Sequence, residues 1–218
     1  HALTYTGTNF GANYRHKSEA GYRDNGEAEV QNYGASINKG LFSLEAGNYD
    51  AQFGLPGAIT RAQMEQYGRS YTRLPNDNVK VDDHYGRVEY GPLAYSFRQR
   101  EFAYSTDGFL SNSDSQYHQV DLSKRFDIGD HVLTTGIDYQ YNPTDIGSTF
   151  QDVATIRKQD LGAFFQDTLF INRWELSYGF RHDQAYYDFG SDKTHEINNI
   201  QTGAIAYHFI EPDFAPDA

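Results

Sequence analysis

The sequence predicts an all-β fold, an antiparallel transmembrane β-barrel built from about ten consecutive strands. Three observations carry this reading. Apolar and polar residues alternate with a period of two over most of the chain, so each stretch has a greasy face and a wet face. Tyr and Phe, 18 and 15 of them, stand where a soluble core would carry Leu, Ile, Val and Met, and there is a single Met. The connections alternate between tight and long, which puts short turns on one rim and long loops on the other.

The alternation is clearest where Trp174, Leu176, Tyr178 and Phe180 oppose Glu175, Ser177, Gly179, Arg181 and Asp183. Leu93, Tyr95 and Phe97 oppose Ser96, Arg98 and Arg100, and Leu133, Ile137 and Tyr139 oppose Thr134, Gly136, Asp138 and Gln140. Strands are expected at 2–14, 28–38, 41–50, 79–90, 93–105, 117–126, 131–141, 158–170, 173–187 and 197–209. Tight turns are expected at 38–40, 90–92, 126–130 and 171–173. Long connections, rich in Gly, Asn, Asp, Ser and Pro, are expected at 15–27, 51–78, 106–116, 142–157 and 188–196. A soluble sandwich also alternates, but it has no reason to sort loop lengths by parity. One helix is expected inside the longest loop, where Thr60 caps and Gln63 closes a capping box over residues 61–67. Tyr49, Phe53, Tyr90, Phe126, Phe170 and Trp174, near strand ends, are expected to form interfacial aromatic girdles.

Composition removes several classes of function. A formal net charge of −12 without Lys/Arg clusters excludes a nucleic-acid partner. The absence of Cys excludes disulfides, thiolate metal sites and a thiol nucleophile. No apolar run approaches the roughly 20 residues of a membrane helix, whereas a barrel strand needs only about 9–11 alternating residues. The mean hydropathy of −0.74 suits polar lumen and loops. The chain opens at His1 with no basic or apolar leader, the expectation for a processed or trimmed polypeptide.

The stretch KQDLGAFFQDTLFINRWELSYGFRHDQAYYDF, residues 158–189, resembles a hairpin found throughout TonB-dependent outer-membrane receptors. In it a strand ends in aromatic-x-Gln-Asp and the next has the form Leu-x-x-Gly-x-Arg-x-Asp; Gln166, Asp167, Leu176, Gly179, Arg181 and Asp183 hold those positions. His182 stands where Tyr or Phe is usual. GYRDNG (21–26) and YDAQFGLPGAITRAQ (49–63) are similar to early barrel loops of siderophore-type receptors in that family. The resemblance implies ten consecutive strands of a barrel of about 22, in the outer membrane of a Gram-negative bacterium. It also implies a separate plug domain and TonB box, neither of which the sequence resembles. The terminal FIEPDFAPDA (209–218) lacks the closing aromatic of most such barrels. The implied partners are outer-membrane lipid, lipopolysaccharide, the plug and, through the plug, the TonB complex. The implied cargo is a scarce nutrient such as a ferric siderophore, haem or cobalamin, with no cofactor held by the protein itself.

Tyr22, Arg23, Asp24, Arg61, Arg69, Tyr71 and Arg73 lie on loops expected outside and are the ligand-binding candidates. Arg suits an anionic chelate and Tyr stacks on a planar one. Arg98, Arg100, Arg181 and Asp183 alternate onto wet faces and are expected to face the plug. Asp82, Asp83 and His84 resemble a catalytic grouping, and a complete ten-stranded protease or passive channel is the alternative reading. Adjacent residues of one strand point to opposite faces, so only one of the two acids can join a luminal site. No two His residues share a recognisable ligand spacing, so no metal site is expected.

Overall fold

Tight turns return the chain beside the strand it has just left, so the hairpins follow one another without a crossover. The computed structural model describes residues 1–190 and 192–207. Its strands are β1 (Ala2–Thr6), β2 (Phe10–Glu19), β3 (Ala28–Lys39), β4 (Phe42–Gly54), β5 (Asn78–Tyr90), β6 (Leu93–Thr106), β7 (Phe109–Ile128), β8 (His131–Ser148), β9 (Gln151–Ile171), β10 (Trp174–Asp188) and β11 (Lys193–Tyr207). They form one antiparallel sheet of 11 strands in chain order. The helix α1 (Arg61–Tyr67) lies in the β4–β5 connection with Thr60 as its cap and the expected capping box complete. No described helix is long and apolar enough to cross a membrane. Expectations for residues 208–218, including the terminal FIEPDFAPDA, fall outside the described residues.

Two expectations are corrected. The first stretch is two strands, β1 and β2, folded at residues 7–9, where the Gly7 N–H donates to the Phe10 carbonyl at 2.8 Å. The apolar lane shifts there from odd positions, Leu3 and Tyr5, to even ones, Phe10, Ala12 and Tyr14, and this change of phase is the local mark of the turn. Residues 106–116 and 142–157 are not loops; the chain reverses at 107–108 and 149–150, and β7, β8 and β9 reach 20, 18 and 21 residues. Toward these tips, as in residues 111–116 and 142–145, both lanes are polar, which reads as loop, but a paired ladder satisfies their backbone just as well. The sorting of turns survives on one rim. Connections 7–9, 40–41, 91–92, 129–130 and 172–173 are all tight, while the opposite rim carries everything from 107–108 to 55–77. Four of the tight turns place Gly40, Gly91, Gly129 or Asn172 at φ of 60, 56, 60 and 56°, the positive first position of a two-residue hairpin turn.

Register decides which side chains share a face. Leu93, Leu122, Ile137 and Ala163 oppose one another across β6, β7, β8 and β9. Leu44, Val88 and Tyr95 belong to the same face one row away. This apolar face is called outward below and the opposite one inward. Most of the large apolar residues that are exposed lie on it, among them Leu3, Tyr90, Ile128, Ile137 and Tyr178. The buried apolar residues, Ala51, Val81 and Ala94, are inward. This inverts the arrangement of a soluble core, since the large apolar side chains are exposed on one face of the sheet.

Parity also corrects the girdle. Tyr90, Phe126 and Trp174 are outward, but Tyr49 and Phe53 share the inward face of Asp83 and Val79, and Phe170 that of Glu175. On that face glycines make room for rings: a Cβ on Gly47 would lie 2.6 Å from Tyr85 Cζ, and one on Gly136 2.7 Å from Phe164. An aromatic laid over a strand glycine restores the cover that the missing side chain leaves open.

Candidate ligand-binding loops and luminal wall

The connections 20–27 and 55–77 meet on the far rim because one loop spends its polar side chains on the backbone of the other. The Arg23 guanidinium donates to the carbonyls of Tyr71 (3.1 and 3.3 Å), Pro56 (3.0 Å) and Gly57. Asn25 Nδ2 donates to the carbonyls of Leu74 (2.6 Å) and Asp77 (2.8 Å), and the Asp24 N–H donates to Ser70 O at 2.7 Å. Asp77, 2% exposed, accepts from the Asp107 N–H at 3.0 Å and from the Thr106 hydroxyl. The β6–β7 turn is thereby tied to the same cap. An Asp or Asn side chain bonding backbone in this way takes the place of secondary structure.

This bonding divides the sequence candidates by position. Arg23 is a half-buried strut with its donors committed to carbonyls. Arg61 pairs with Glu65 at 2.9 Å on the exposed face of α1. Arg69 and Arg73 are exposed and make no ion pair among the described residues. Tyr71 stacks on Tyr67 with ring centroids 4.7 Å apart, while Tyr22 is 82% exposed and Asp24 exposed. The rim thus presents two open guanidiniums beside a stacked Tyr pair and a free Tyr ring. Tyr67, Asn25 and Asp77 were not picked out in the sequence. None of the three had a local signal: Tyr71 lies beyond the end of α1, the Asn25 side chain acts on residues 49 and 52 positions away, and that of Asp77 on residues 29 and 30 positions away.

The inward wall is held by ion pairs across strands. Asp83, 4% exposed, takes Arg98 Nε at 2.8 Å, with Arg100 Nε 3.9 Å away. Asp138, 8% exposed, takes Arg181 Nη2 at 3.0 Å, and Arg181 also holds Asp183 at 2.7 Å. Gly162 stands directly between Asp138 and Asp183 in the register, and a Cβ there would come within 2.8 Å of a carboxylate oxygen of each. A third cluster joins Arg87 to Glu89 (2.6 Å), to the Ser96 hydroxyl (2.7 Å) and to Asp121 (3.7 Å). Arg98, Arg100, Arg181 and Asp183 therefore all face inward, and their acidic partners come from neighbouring strands or from the same lane. Asp82 and Asp83 stand on opposite faces, so the acids beside His84 do not converge.

At the far end of β10 the Gly190 N–H bonds Asp188 at 2.9 Å, with Lys193 at 3.5 Å and Arg157 at 3.9 Å. The Gly190 amide first, then the two cations, holds the Asp188 carboxyl below its ordinary 3.8. A carboxyl depressed in the folded state adds stability that is present above its unfolded value and lost as pH falls through the lower folded one. An NMR titration is expected to place the Asp188 midpoint below 3.8, and Lys193→Gln to raise it. A midpoint at or above 3.8 contradicts this account.

The sheet of 11 strands, with its tight rim, superposes on part of solved structures of outer-membrane receptors and a transporter, a likeness of fold. The ferripyoverdine receptor of the outer membrane of Pseudomonas aeruginosa, bound to ferripyoverdine, superposes with a TM-score of 0.65 at 9% identity, covering 96% of this chain and 38% of the receptor. BauA, the ferric preacinetobactin receptor from Acinetobacter baumannii, gives 0.57 at 13% identity, covering 94% and 41%. The copper transporter OprC gives 0.62 at 14% identity, covering 94% and 38%. The chain spans well under half the length of each. No protein-family profile matches the chain, and no curated protein matches its sequence.

Proposed function

We propose that this chain is part of the barrel wall of a TonB-dependent receptor in a Gram-negative outer membrane, and that the receptor takes up a scarce nutrient, in the first place a ferric siderophore or similar metal chelate. The observation that carries the reading is a two-faced sheet of 11 strands with an apolar belt outside and ion-paired polar groups inside, shared over nearly its whole length with receptors of that kind. Residues 1–218 are one segment of a larger barrel, with tight turns toward the periplasm and the 20–27 and 55–77 cap toward the medium. The plug occupies the lumen and touches the wall of Arg98, Arg100, Arg181 and Asp183, and TonB acts through the plug. No bond is made or broken in the cargo. Binding outside shifts the population of plug states, and passage follows.

Arg69, Arg73, Tyr22 and Tyr71 are the groups we assign to the cargo. Two guanidiniums bring charge-assisted donors to an anionic chelate, and the Tyr67–Tyr71 stack offers a flat face to its rings. In the full-length receptor, Arg69→Gln with Arg73→Gln is expected to weaken chelate binding about tenfold or more, as the loss of two charge-assisted contacts does. Arg61→Gln, whose guanidinium already pairs with Glu65, is expected to change it less than about twofold. Fluorescence titration with ferric siderophores and iron-restricted growth of the source bacterium read both. Equal effects of the two variants, or no iron chelate bound at all, would sink the assignment.

A further inference from the structure

Asn25 and Gly26 form the one Asn-Gly pair in the sequence, and the fold requires both residues. Asn25 stands at φ 56°, in the left-handed region that Asn tolerates better than most side chains. A Cβ on Gly26 would lie 2.8 Å from the Arg23 carbonyl oxygen, the same oxygen to which the Gly26 N–H donates at 3.0 Å. The side chain at 25 must be a donor, since its Nδ2 reaches the carbonyls of Leu74 (2.6 Å) and Asp77 (2.8 Å) in the other loop. Its seat is shaped by the end of β4, where a Cβ on Gly54 would come within 2.6 Å of Asn25 Oδ1 and 2.5 Å of the Asn25 carbonyl oxygen.

The same pair is the most labile amide in the chain. Asn is a chemically fragile residue, and with no side chain at 26 the Gly26 nitrogen can approach Asn25 Cγ unhindered. A bond then forms between that nitrogen and Cγ, the Cγ–Nδ2 bond breaks, and Nδ2 leaves as ammonia with the proton that the Gly26 nitrogen gives up. Water opens the resulting succinimide to Asp or iso-Asp, and no oxidant, metal or second protein enters the balance. The closed cap holds this reaction back twice. Two hydrogen bonds from Nδ2 fix Cγ in place, and the Gly26 N–H is committed to the Arg23 oxygen. Opening of the cap frees both groups.

We propose that Asn25 is a deamidation site, that the cap of 55–77 gates its reaction, and that the product prevents the cap from closing again. A carboxylate then stands where the amide donor stood, and oxygen faces the carbonyl oxygens of Leu74 and Asp77. Asp77 O keeps the Leu55 N–H at 2.9 Å, whereas Leu74 O has no other donor among the described residues. The iso-Asp product also lengthens the main chain by one atom in a turn that is already in close contact with Gly54. Cap and dipeptide together make a one-way latch: every opening is a chance of permanent release, so old molecules carry an open cap and young ones a closed cap. The latch works in the same way whatever the barrel carries.

The test incubates the full-length protein in detergent at neutral pH, reading conversion at residue 25 by peptide mapping with mass spectrometry and the state of the cap by limited proteolysis. Conversion in the folded protein is expected to be at least about tenfold slower than in the same chain in denaturant, and about tenfold faster in Arg23→Ala than in the unaltered protein. Molecules already converted, and the variant Asn25→Asp, should be cleaved within 55–77 about tenfold faster than unconverted ones. The converted molecules carry no substitution, so this comparison holds even where Asn25→Asp fails to fold. Heat-modifiable migration reports whether the barrel is intact. Conversion as fast in the folded as in the denatured protein, conversion indifferent to Arg23→Ala, or a converted cap as resistant as the unconverted one would overturn the proposal. Chelate binding through Arg69 and Arg73 is read separately, so either idea can fail while the other stands.

Discussion

Arg181→Met in the assembled barrel is expected to cost roughly 3 kcal/mol, because it leaves the buried Asp138 carboxylate without a cation. Arg98→Met is expected to cost less, on the order of 1 kcal/mol, since Arg100 stands 3.9 Å from the same Asp83 oxygen and can take over. Adding Asp138→Asn to Arg181→Met should recover most of the loss, because what destabilises is the stranded charge and not the missing contact. Gly162→Ala should act on the same cluster by pushing Arg181 and both carboxylates apart. Denaturant midpoints in detergent measure all four. Equal costs for the two Arg variants would show that these pairs are too solvated to matter.

Removing Arg23 should have the second largest effect, and it should be local. Arg23→Ala strands the carbonyls of Pro56, Gly57 and Tyr71, of which only Pro56 keeps another donor, the Thr72 hydroxyl at 2.7 Å. Hydrogen bonds from a charged donor contribute about 1.5–3 kcal/mol, so opening of the 55–77 cap should become roughly thirtyfold easier. Limited proteolysis within 55–77 reads this directly. Arg23→Lys should restore little, because one ammonium cannot span three carbonyls in a fixed fork. The Arg69 and Arg73 substitutions should leave proteolysis unchanged, which separates the strut from the face proposed for the ligand.

The faces were legible in the sequence because strand parity is a one-dimensional property. Anyone who sees that Arg98 and Arg100 alternate against Tyr95 and Phe97 has placed them on the opposite face of the sheet. Hairpin tips at 107–108 and 149–150 were not legible, because above the belt both lanes are polar and the period-two signal vanishes while the ladder goes on. Nor was the Asp138–Gly162–Asp183 alignment, since neighbours across strands depend on a register set by several turns at once. Arg23 looked like a ligand residue for a similar reason: an exposed-loop Arg and a loop-to-loop strut have the same local sequence. Asp82 and Asp83 show the opposite case, where adjacency alone already assigned opposite faces.

The length of β9 has a thermodynamic meaning for whatever arrives from outside. Its 21 residues span about 50 Å along the barrel axis, roughly twice the height of an apolar belt of about 25 Å. The upper half of β7, β8 and β9 is therefore a stiff, hydrogen-bonded blade where a floppy loop would otherwise stand. Ordering a loop residue costs about 1–2 kcal/mol at the moment of binding, and here that entropy was lost when the barrel folded. A cargo of the proposed kind leaning on this side would meet a finished wall, and whatever freezing its capture demanded would be confined to the cap of 55–77 across the rim.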